Sequence, residues 1–315
     1  MLEKYKTIDE LISLLRDKGF EIDNENKTKE ILQNVGYYKL INGYKEPFKS
    51  CNGKLCKDVK FENVFSLYCF DREIRLLFLK YISIIEIMIK SRMSNVISNK
   101  YGINQNQYLK AENFKPDTNN KNEKKFEEIK VFIQKSISQQ MIKNNSIKWY
   151  SEKYNNEFPF WVIINILTLG QTSSIYSKMK EADKNLISKD FNLKPDFLNT
   201  ALIFLTLFRN VCAHNEVLYR YKVNKKFSIK NLNKIYQTFN IPLNEKNEFV
   251  YGVSDLFSLI IIMFLLLNKD DFNDLINQLQ SCINKLKDEI NNEKIFNKIM
   301  KNMGIVNKLE CFECV

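Results

Sequence analysis

The sequence predicts an all-α protein, and three observations support this class. Glycine and proline are scarce, at 8 and 5 of 315 residues. Leu, Ile, Lys, Glu and Asn dominate the composition, and apolar residues recur at helical spacing over long segments. Hydrophobic residues make up 44% of the chain and charged residues 27%, so we expect a well-formed core in one large domain or two modest ones.

Residues 1–60 predict an N-terminal helical extension. Thr7 and Glu10 are spaced as a capping box at the start of a first helix, and Gly19 ends that helix. A second short helix ends at Gly36. The extension therefore begins with two short helices.

The segment 36–48 is dense in aromatic residues and glycines. This density is typical of a compact turn or short helix held against a core. Its tyrosines are also suited to stacking on RNA bases, and of the two interpretations we favour packing. A loop over 50–60 follows, with a hairpin tip predicted at Asn52 and Gly53.

Residues 61–240 predict a central helical domain, and its longest helical pattern runs over 61–98. This helix is apolar almost all round, so it should be buried, and buried charges need partners. At about 100° per residue, its internal charges fall on one narrow stripe. We favour a structural ion-pair network over a stripe that faces a polar cleft. The stripe consists of Asp71, Arg75, Glu86 and Lys90.

A polar insertion near 99–125, predicted as a loop, interrupts this domain. Apolar residues return at helical spacing from Phe126. A further helix opens at Pro159 and is predicted to end at Gly170, and a short helix covers 182–190.

Residues 241–315 predict additional C-terminal helices. Ser254 is expected to cap an apolar helix over 256–267, and two amphipathic helices follow at about 270–290 and 292–302. The apolar run would be about 18 Å long as a helix, too short for a bilayer core of about 30 Å. We therefore expect a core helix or an oligomer face, and no membrane partner.

The formal net charge of +11 is consistent with a polyanionic partner, either nucleic acid or an anionic membrane surface. A lysine-rich drift in composition explains the charge equally well. The seven cysteines and an N-terminus without an apolar signal segment predict free thiols in a cytoplasmic protein. Cys311 and Cys314 form half of a zinc-site pattern that nothing completes, so we expect no metal and no cofactor.

The stretch 198–221 contains the candidate catalytic residues. A dense apolar run leads to Arg209 and Asn210 and then to His214, the only histidine in the chain. Histidine is the side chain best suited to proton transfer near neutral pH. A lone histidine near the end of a hydrophobic helix is nevertheless more often a core or capping residue, and on spacing alone we favour that role.

Two copies of this stretch related by a two-fold axis would bring two histidines and two arginines into one cleft. Such a cleft suits RNA cleavage without a metal ion. A base takes the proton of a 2′-OH, which attacks the adjacent phosphate, and an acid protonates the leaving 5′-oxygen. Arginines stabilise the charge that develops on the phosphoryl oxygens.

Several motifs in sequence order resemble the Abi-like family of bacterial abortive-infection proteins (the AbiD/AbiF group). In addition, FRNVCAH resembles the R-x4-6-H signature of HEPN-domain ribonucleases. The matching segments are LRDKG at 15–19, VGYYKLINGY at 35–44, PF at 47–48, FDREIR at 70–75, IE at 85–86, PFW at 159–161, LG at 169–170, RNVCAH at 209–214 and YR at 219–220.

The resemblance implies an all-α HEPN-type helical bundle, over about 61–240, that works as a homodimeric RNase toxin in phage defence. It also implies RNA as substrate and, for some family members, a cognate small structured RNA as partner. Arg209, Asn210 and His214 carry over as the catalytic residues. The implied supporting residues are Glu86, Arg75 and Asp71.

Two functional hypotheses follow. The first is a metal-independent endoribonuclease that cleaves at a composite dimer site. The second is a non-catalytic RNA-binding protein that only holds a cognate RNA. Basic residues just beyond His214 are the candidates for RNA binding in either case: Arg220, Lys222, Lys225 and Lys226.

Overall fold

In the computed structural model the described residues are 5–115, 121–224, 241–306 and 309, without the side chains of 121–125. Their regular structure is helical, and their β pairing is limited to isolated bridges. The all-α prediction is confirmed.

The described α-helices cover most of the chain, with short 3-10 turns at Glu46–Phe48 and Ala111–Asn113. In chain order they are α1 (Ile8–Asp17), α2 (Glu25–Val35), α3 (Tyr37–Tyr44), α4 (Phe61–Tyr101), α5 (Gln105–Tyr108), α6 (Lys121–Met141), α7 (Asn145–Lys153), α8 (Phe160–Ile166), α9 (Leu169–Lys178), α10 (Glu181–Lys189), α11 (Pro195–Ala213), α12 (Leu256–Leu266), α13 (Lys269–Ile290) and α14 (Glu293–Met303).

Helix α4 is the central element of the fold. It has 41 residues and is therefore about 60 Å long. Helices α3, α8, α10, α11 and α13 all pack on it. Apolar residues on nearly every side of α4 meet these neighbours, so only one narrow line stays exposed. That line includes Arg72, Leu76, Lys80, Ser83 and Ile87.

Helix α11 runs antiparallel to α4. The preceding helix, α10, contacts the C-terminal part of α4 through ion pairs of Arg92 with Asp190 and of Lys100 with Asp183. The chain just beyond α11 instead contacts the N-terminal half of α4, at Asp71. The end of α11 therefore lies beside the polar stripe predicted on α4.

Among the described residues, α11 is the one helix that is long and apolar enough to cross a membrane by length and composition. It packs against α4, α9, α10 and α12, and 56% of its most apolar window is buried. This is the behaviour of a core helix. Helix α12 has 11 residues, nine of them buried, as expected for a core element.

Two local predictions are confirmed. Thr7 and Glu10 form the capping box of α1. The loop after α3 folds back as a hairpin, with Lys49 bridging Leu55 and Gly53 at its tip with φ +76°.

Three local predictions are wrong. Gly170 does not end α8, which stops at Ile166; a capping box at Thr168 starts α9 instead, and Gly170 lies in its first turn. Asp255, not Ser254, caps α12, because its carboxylate accepts the N–H of Ser258. The described part of the polar insertion is mostly helical and not a loop, since it contains the end of α4, all of α5, a 3-10 turn and the start of α6.

The close approach of Gly304, just after α14, to Asp255, the N-cap of α12, gives a stability prediction. An alanine Cβ at Gly304 would lie 2.6 Å from the carboxyl group of Asp255, whereas one at Gly19 would meet nothing within 4 Å. Both glycines have positive φ, +77° and +90°, so backbone strain is similar. Gly304→Ala should therefore lower the free energy of unfolding by about 1–3 kcal/mol more than Gly19→Ala. Urea denaturation followed by circular dichroism measures the difference, and equal losses would contradict the contact.

Candidate functional site

The end of α11 presents the three predicted catalytic residues at the surface. The helix ends at Ala213, and His214 is its C-cap. Asn215 follows with φ +55°, and the N–H of Glu216 bonds the carbonyl of Val211 at 3.0 Å. This is a Schellman motif, in which asparagine is one of the few residues that tolerate the left-handed position. Asn215 was missed by the sequence reasoning, although Asn after a periodic segment is a signal for a helix end.

The polar side chains at this helix end are available to a ligand. Asn210 and His214 are exposed and Arg209 is half-buried, while the neighbouring Val211 and Cys212 are buried. Within the described residues, no hydrogen bond or ion pair engages the side chain of Arg209, Asn210 or His214. Since Asn210 and His214 are four residues apart, they project from the same side of the helix.

The chain after His214 is fixed by two buried charges of α4. The carboxylate of Asp71 accepts the N–H of Leu218 at 3.1 Å and that of Tyr219 at 2.7 Å. The guanidinium of Arg75 donates to the carbonyl of Glu216 at 3.1 Å and also pairs with Asp71. Asp71 is 0% and Arg75 2% exposed, so this pair positions the turn and does not face solvent.

Tyr44 of α3 completes this network. Its hydroxyl donates to Asp71 at 2.8 Å and accepts from Arg75 at 3.2 Å. Its ring stacks on that of Tyr219, with the centroids 5.9 Å apart. A Cβ at Gly43 would lie 3.1 Å from Val217 Cγ2, so glycine allows α3 to approach the turn closely.

Burial dominates the electrostatics of this network. It raises the pKa of Asp71, while Arg75, Tyr44 and the backbone amides of Leu218 and Tyr219 act in the opposite direction. It raises the pKa of Cys212 to about 12, with Asp71 adding to the effect, so this cysteine stays a thiol and is no candidate nucleophile.

The structure thus supports the favoured interpretation of the Asp71–Arg75 part of the stripe, a structural ion pair. It also supports packing as the main role of segment 36–48, since Leu40, Ile41 and Tyr44 are fully buried. Three segments that are far apart in sequence converge on the turn after His214. They supply Tyr44, the Asp71–Arg75 pair and residues 216–219.

The other half of the stripe serves a different junction. Glu86 pairs with Lys90 at 2.6 Å, and Lys90 donates to the carbonyl of Leu167, the C-cap of α8, at 2.6 Å. In the part of the chain that is described, no contact joins Glu86 to Arg209 or His214. Glu86 and Lys90 therefore fix the α8–α9 junction.

Arg220 and Lys222, two of the predicted RNA-binding residues, are exposed on the continuation of the turn. Arg220 donates to the carbonyl of Asn42 at 3.1 Å. Lys222 lies near Asp255, whose pKa it lowers against the larger effect of burial. Lys225 and Lys226 lie outside the described residues.

A search of the described residues finds no group of three or more His, Cys, Asp or Glu side chains that could hold a metal ion. The described cysteines, Cys51, Cys56, Cys69, Cys212 and Cys282, are free thiols. Cys311 and Cys314 lie outside the described residues.

The fold and the site define an all-helical protein in which a buried ion pair on a long central helix fixes an exposed Arg-x4-His helix end. A family model described as "Abi-like protein" matches residues 30–220, more than half of the chain, and the protein belongs to this family. Membership suggests a role in abortive infection, a form of phage defence. No curated protein and no solved structure matches the chain.

The buried pair leads to a second stability prediction. Asp71→Asn leaves Arg75 as a buried charge without its counter-ion, and breaking such pairs costs about 3–5 kcal/mol of unfolding free energy. The control is Asp274→Asn, which removes an exposed carboxylate that also pairs with a cation and a tyrosine of α4. Its effect should be small, because exposed pairs contribute little. Comparable losses in urea denaturation would show that Asp71 is not essential to the turn.

Proposed function

We propose that the protein is a metal-independent endoribonuclease of phage defence that cleaves RNA at a site shared by two copies of the chain. One observation supports this most directly. Arg209, Asn210 and His214 project unpaired from an exposed helix end, within the described residues, and the turn after them is fixed by buried charges. His214 caps the helix through its backbone, but its side chain is exposed and has no hydrogen-bond or ion-pair partner in the part of the chain that is described, so the imidazole is available to a ligand.

The chemistry follows from the residue types. His214 removes the proton of a ribose 2′-OH, and that oxygen attacks the adjacent phosphorus in line. The P–O5′ bond breaks, the leaving oxygen takes a proton from the acid, and a 2′,3′-cyclic phosphate remains. Arg209 stabilises the charge on the phosphoryl oxygens, and Asn210 orients the phosphate or the histidine. The reaction is restricted to RNA because DNA lacks the attacking hydroxyl.

A second copy of the chain is needed because one chain offers a single histidine, while the reaction uses both a base and an acid. The outward side of α11 suits such pairing. Ile203, Leu207, Asn210 and His214 recur at helical spacing; the first two are half-buried and the last two exposed. Two α11 helices that meet along this stripe about a two-fold axis would place both histidines in one cleft.

The runner-up function is a non-catalytic RNA-binding protein that holds a cognate structured RNA. The exposed Arg220 and Lys222 beside the site fit both functions. The two functions differ in whether His214 takes part in cleaving the RNA or at most in binding it.

The catalytic proposal predicts that His214→Ala abolishes RNA cleavage, with a loss of at least about 10²–10⁴-fold, while RNA binding and helix content persist. Arg209→Ala should also lose cleavage, whereas Arg72→Ala, at an exposed position on α4, should not. The assay is cleavage of total RNA by purified protein, with the new ends sequenced. EDTA should leave the rate unchanged, and strict metal dependence would exclude this mechanism. Full activity of His214→Ala would favour the binding protein.

The shared site predicts that charge on the α11 stripe prevents both association and cleavage. Ile203→Asp should yield a folded monomer that no longer cleaves RNA, because a carboxylate would be buried in the interface. Leu186→Asp is the control, since Leu186 is 54% exposed on α10. Light scattering gives the mass, and circular dichroism confirms folding. A wild-type monomer that cleaves RNA at full rate would rule out the shared site.

A further inference from the structure

A pocket rich in lysine opens between the end of α1 and the hairpin that follows α3. Its volume is about 580 Å³. Lys18 contributes from the end of α1, Lys45 and Lys49 flank the 3-10 turn, and Lys54 lies in the hairpin. These four residues define what we call the lysine pocket.

Positive charge in the lysine pocket is only partly compensated. Lys49 pairs with Glu46 at 3.0 Å. Among the described residues, Lys18, Lys45 and Lys54 form no ion pair; the nearest carboxylate in the lining is that of Asp17. Burial lowers the pKa of Lys45, and the charges of Lys18 and Lys49 lower it further. The lysines are thus close enough to repel one another, an arrangement that an anion would relieve.

The lysine pocket is connected to the candidate catalytic site through Asn42. The ammonium of Lys45 donates to Asn42 Oδ1 at 3.0 Å, and the guanidinium of Arg220 donates to the Asn42 carbonyl at 3.1 Å. Arg220 directly follows the turn that Asp71 fixes. Hydrogen bonds through Asn42 therefore connect Arg220, just beyond the turn, with Lys45 of the lysine pocket.

An aromatic side chain lies along this path. Tyr38 is one turn before Asn42 on the exposed side of α3, and it is 80% exposed. Grooves that bind single-stranded nucleic acid combine cations, which contact the phosphates, with aromatic rings, on which the bases stack. The arrangement of Tyr38, Asn42, Lys45 and Arg220 contains both kinds of group.

We propose that the lysine pocket binds backbone phosphates of the RNA strand whose scissile bond lies at His214, and that Tyr38 stacks on a base between the two. This inference rests on the proposed function, because it assigns a path to the RNA. The concave shape favours a strand over an anionic membrane, since a pocket admits a chain of phosphates but not the flat surface of a bilayer.

The test measures binding in the inactive His214→Ala background, so that cleavage is not required. The probe is a fluorescent 12-nucleotide oligouridylate, titrated over a range of salt concentrations. Replacing Lys18 and Lys54 with Gln should weaken binding on the order of tenfold at 0.1 M salt. The slope of log K against log salt should become shallower by about 1.4, from about 0.7 per lost phosphate contact. Tyr38→Ala should weaken binding on the order of tenfold with an unchanged slope.

The matched control replaces Lys148 and Lys189 with Gln, which removes two exposed lysines on α7 and α10. Its affinity and salt slope should equal those of the parent. Unchanged binding in the Lys18/Lys54 variant, with normal helix content, overturns the proposal. It is also overturned if that variant loses binding only to vesicles containing phosphatidylserine, or only to inorganic phosphate. If the Lys18/Lys54 variant loses oligouridylate binding but the wild-type protein does not cleave RNA, the lysine pocket is supported and the ribonuclease proposal is refuted.

Discussion

The structure depends on how the carboxylate of Asp71 is satisfied. This group is completely buried, and it receives hydrogen bonds from an arginine, a tyrosine and two backbone amides. Without it, the N–H groups of Leu218 and Tyr219 would be buried without acceptors, and Arg75 would be an isolated charge. A single carboxylate therefore joins α3, α4 and the turn after α11, and it sets where the exposed helix end stands.

Buried and exposed charges have separate roles in this arrangement. A buried ion pair adds little net free energy of folding, because the cost of desolvating its two charges opposes the attraction between them. Its benefit is geometric: Asp71 and Arg75 define one position for residues 216–219, and thereby one exit for the chain beyond His214. Among the described residues, the guanidinium groups of Arg209 and Arg220 form no ion pair, and both lie outside the apolar interior, where a phosphate can reach them.

Sequence periodicity predicted the all-α class, the long central helix and its polar stripe. A helix that is buried on nearly all sides is apolar at most positions, so its few charges stand out at helical spacing. Periodicity could not show that Asp71 accepts hydrogen bonds from a turn 147 positions away. The donors are backbone N–H groups, which almost every residue has, so no residue type in the sequence marks them. Gly170 was misread as a helix end because the capping box formed by Thr168 and Gln171 starts a new helix there, and the glycine packs against Thr206 in its first turn. The lysine pocket was missed because its residues come from two separate segments, and only the fold brings them together.

The rigidity of the turn limits how the proposed activity can be controlled. Its position is fixed by hydrogen bonds within one chain, so on the proposed mechanism each half-site is formed before a second copy or RNA arrives. A half-site that is already formed does not need a conformational change around His214 to become active. On the proposed mechanism, control must therefore act on the association of two α11 stripes or on access of RNA along Tyr38 and the lysine pocket. A cognate RNA that occupies this path would block the substrate without changing the geometry of the site, because both would compete for the same phosphate contacts.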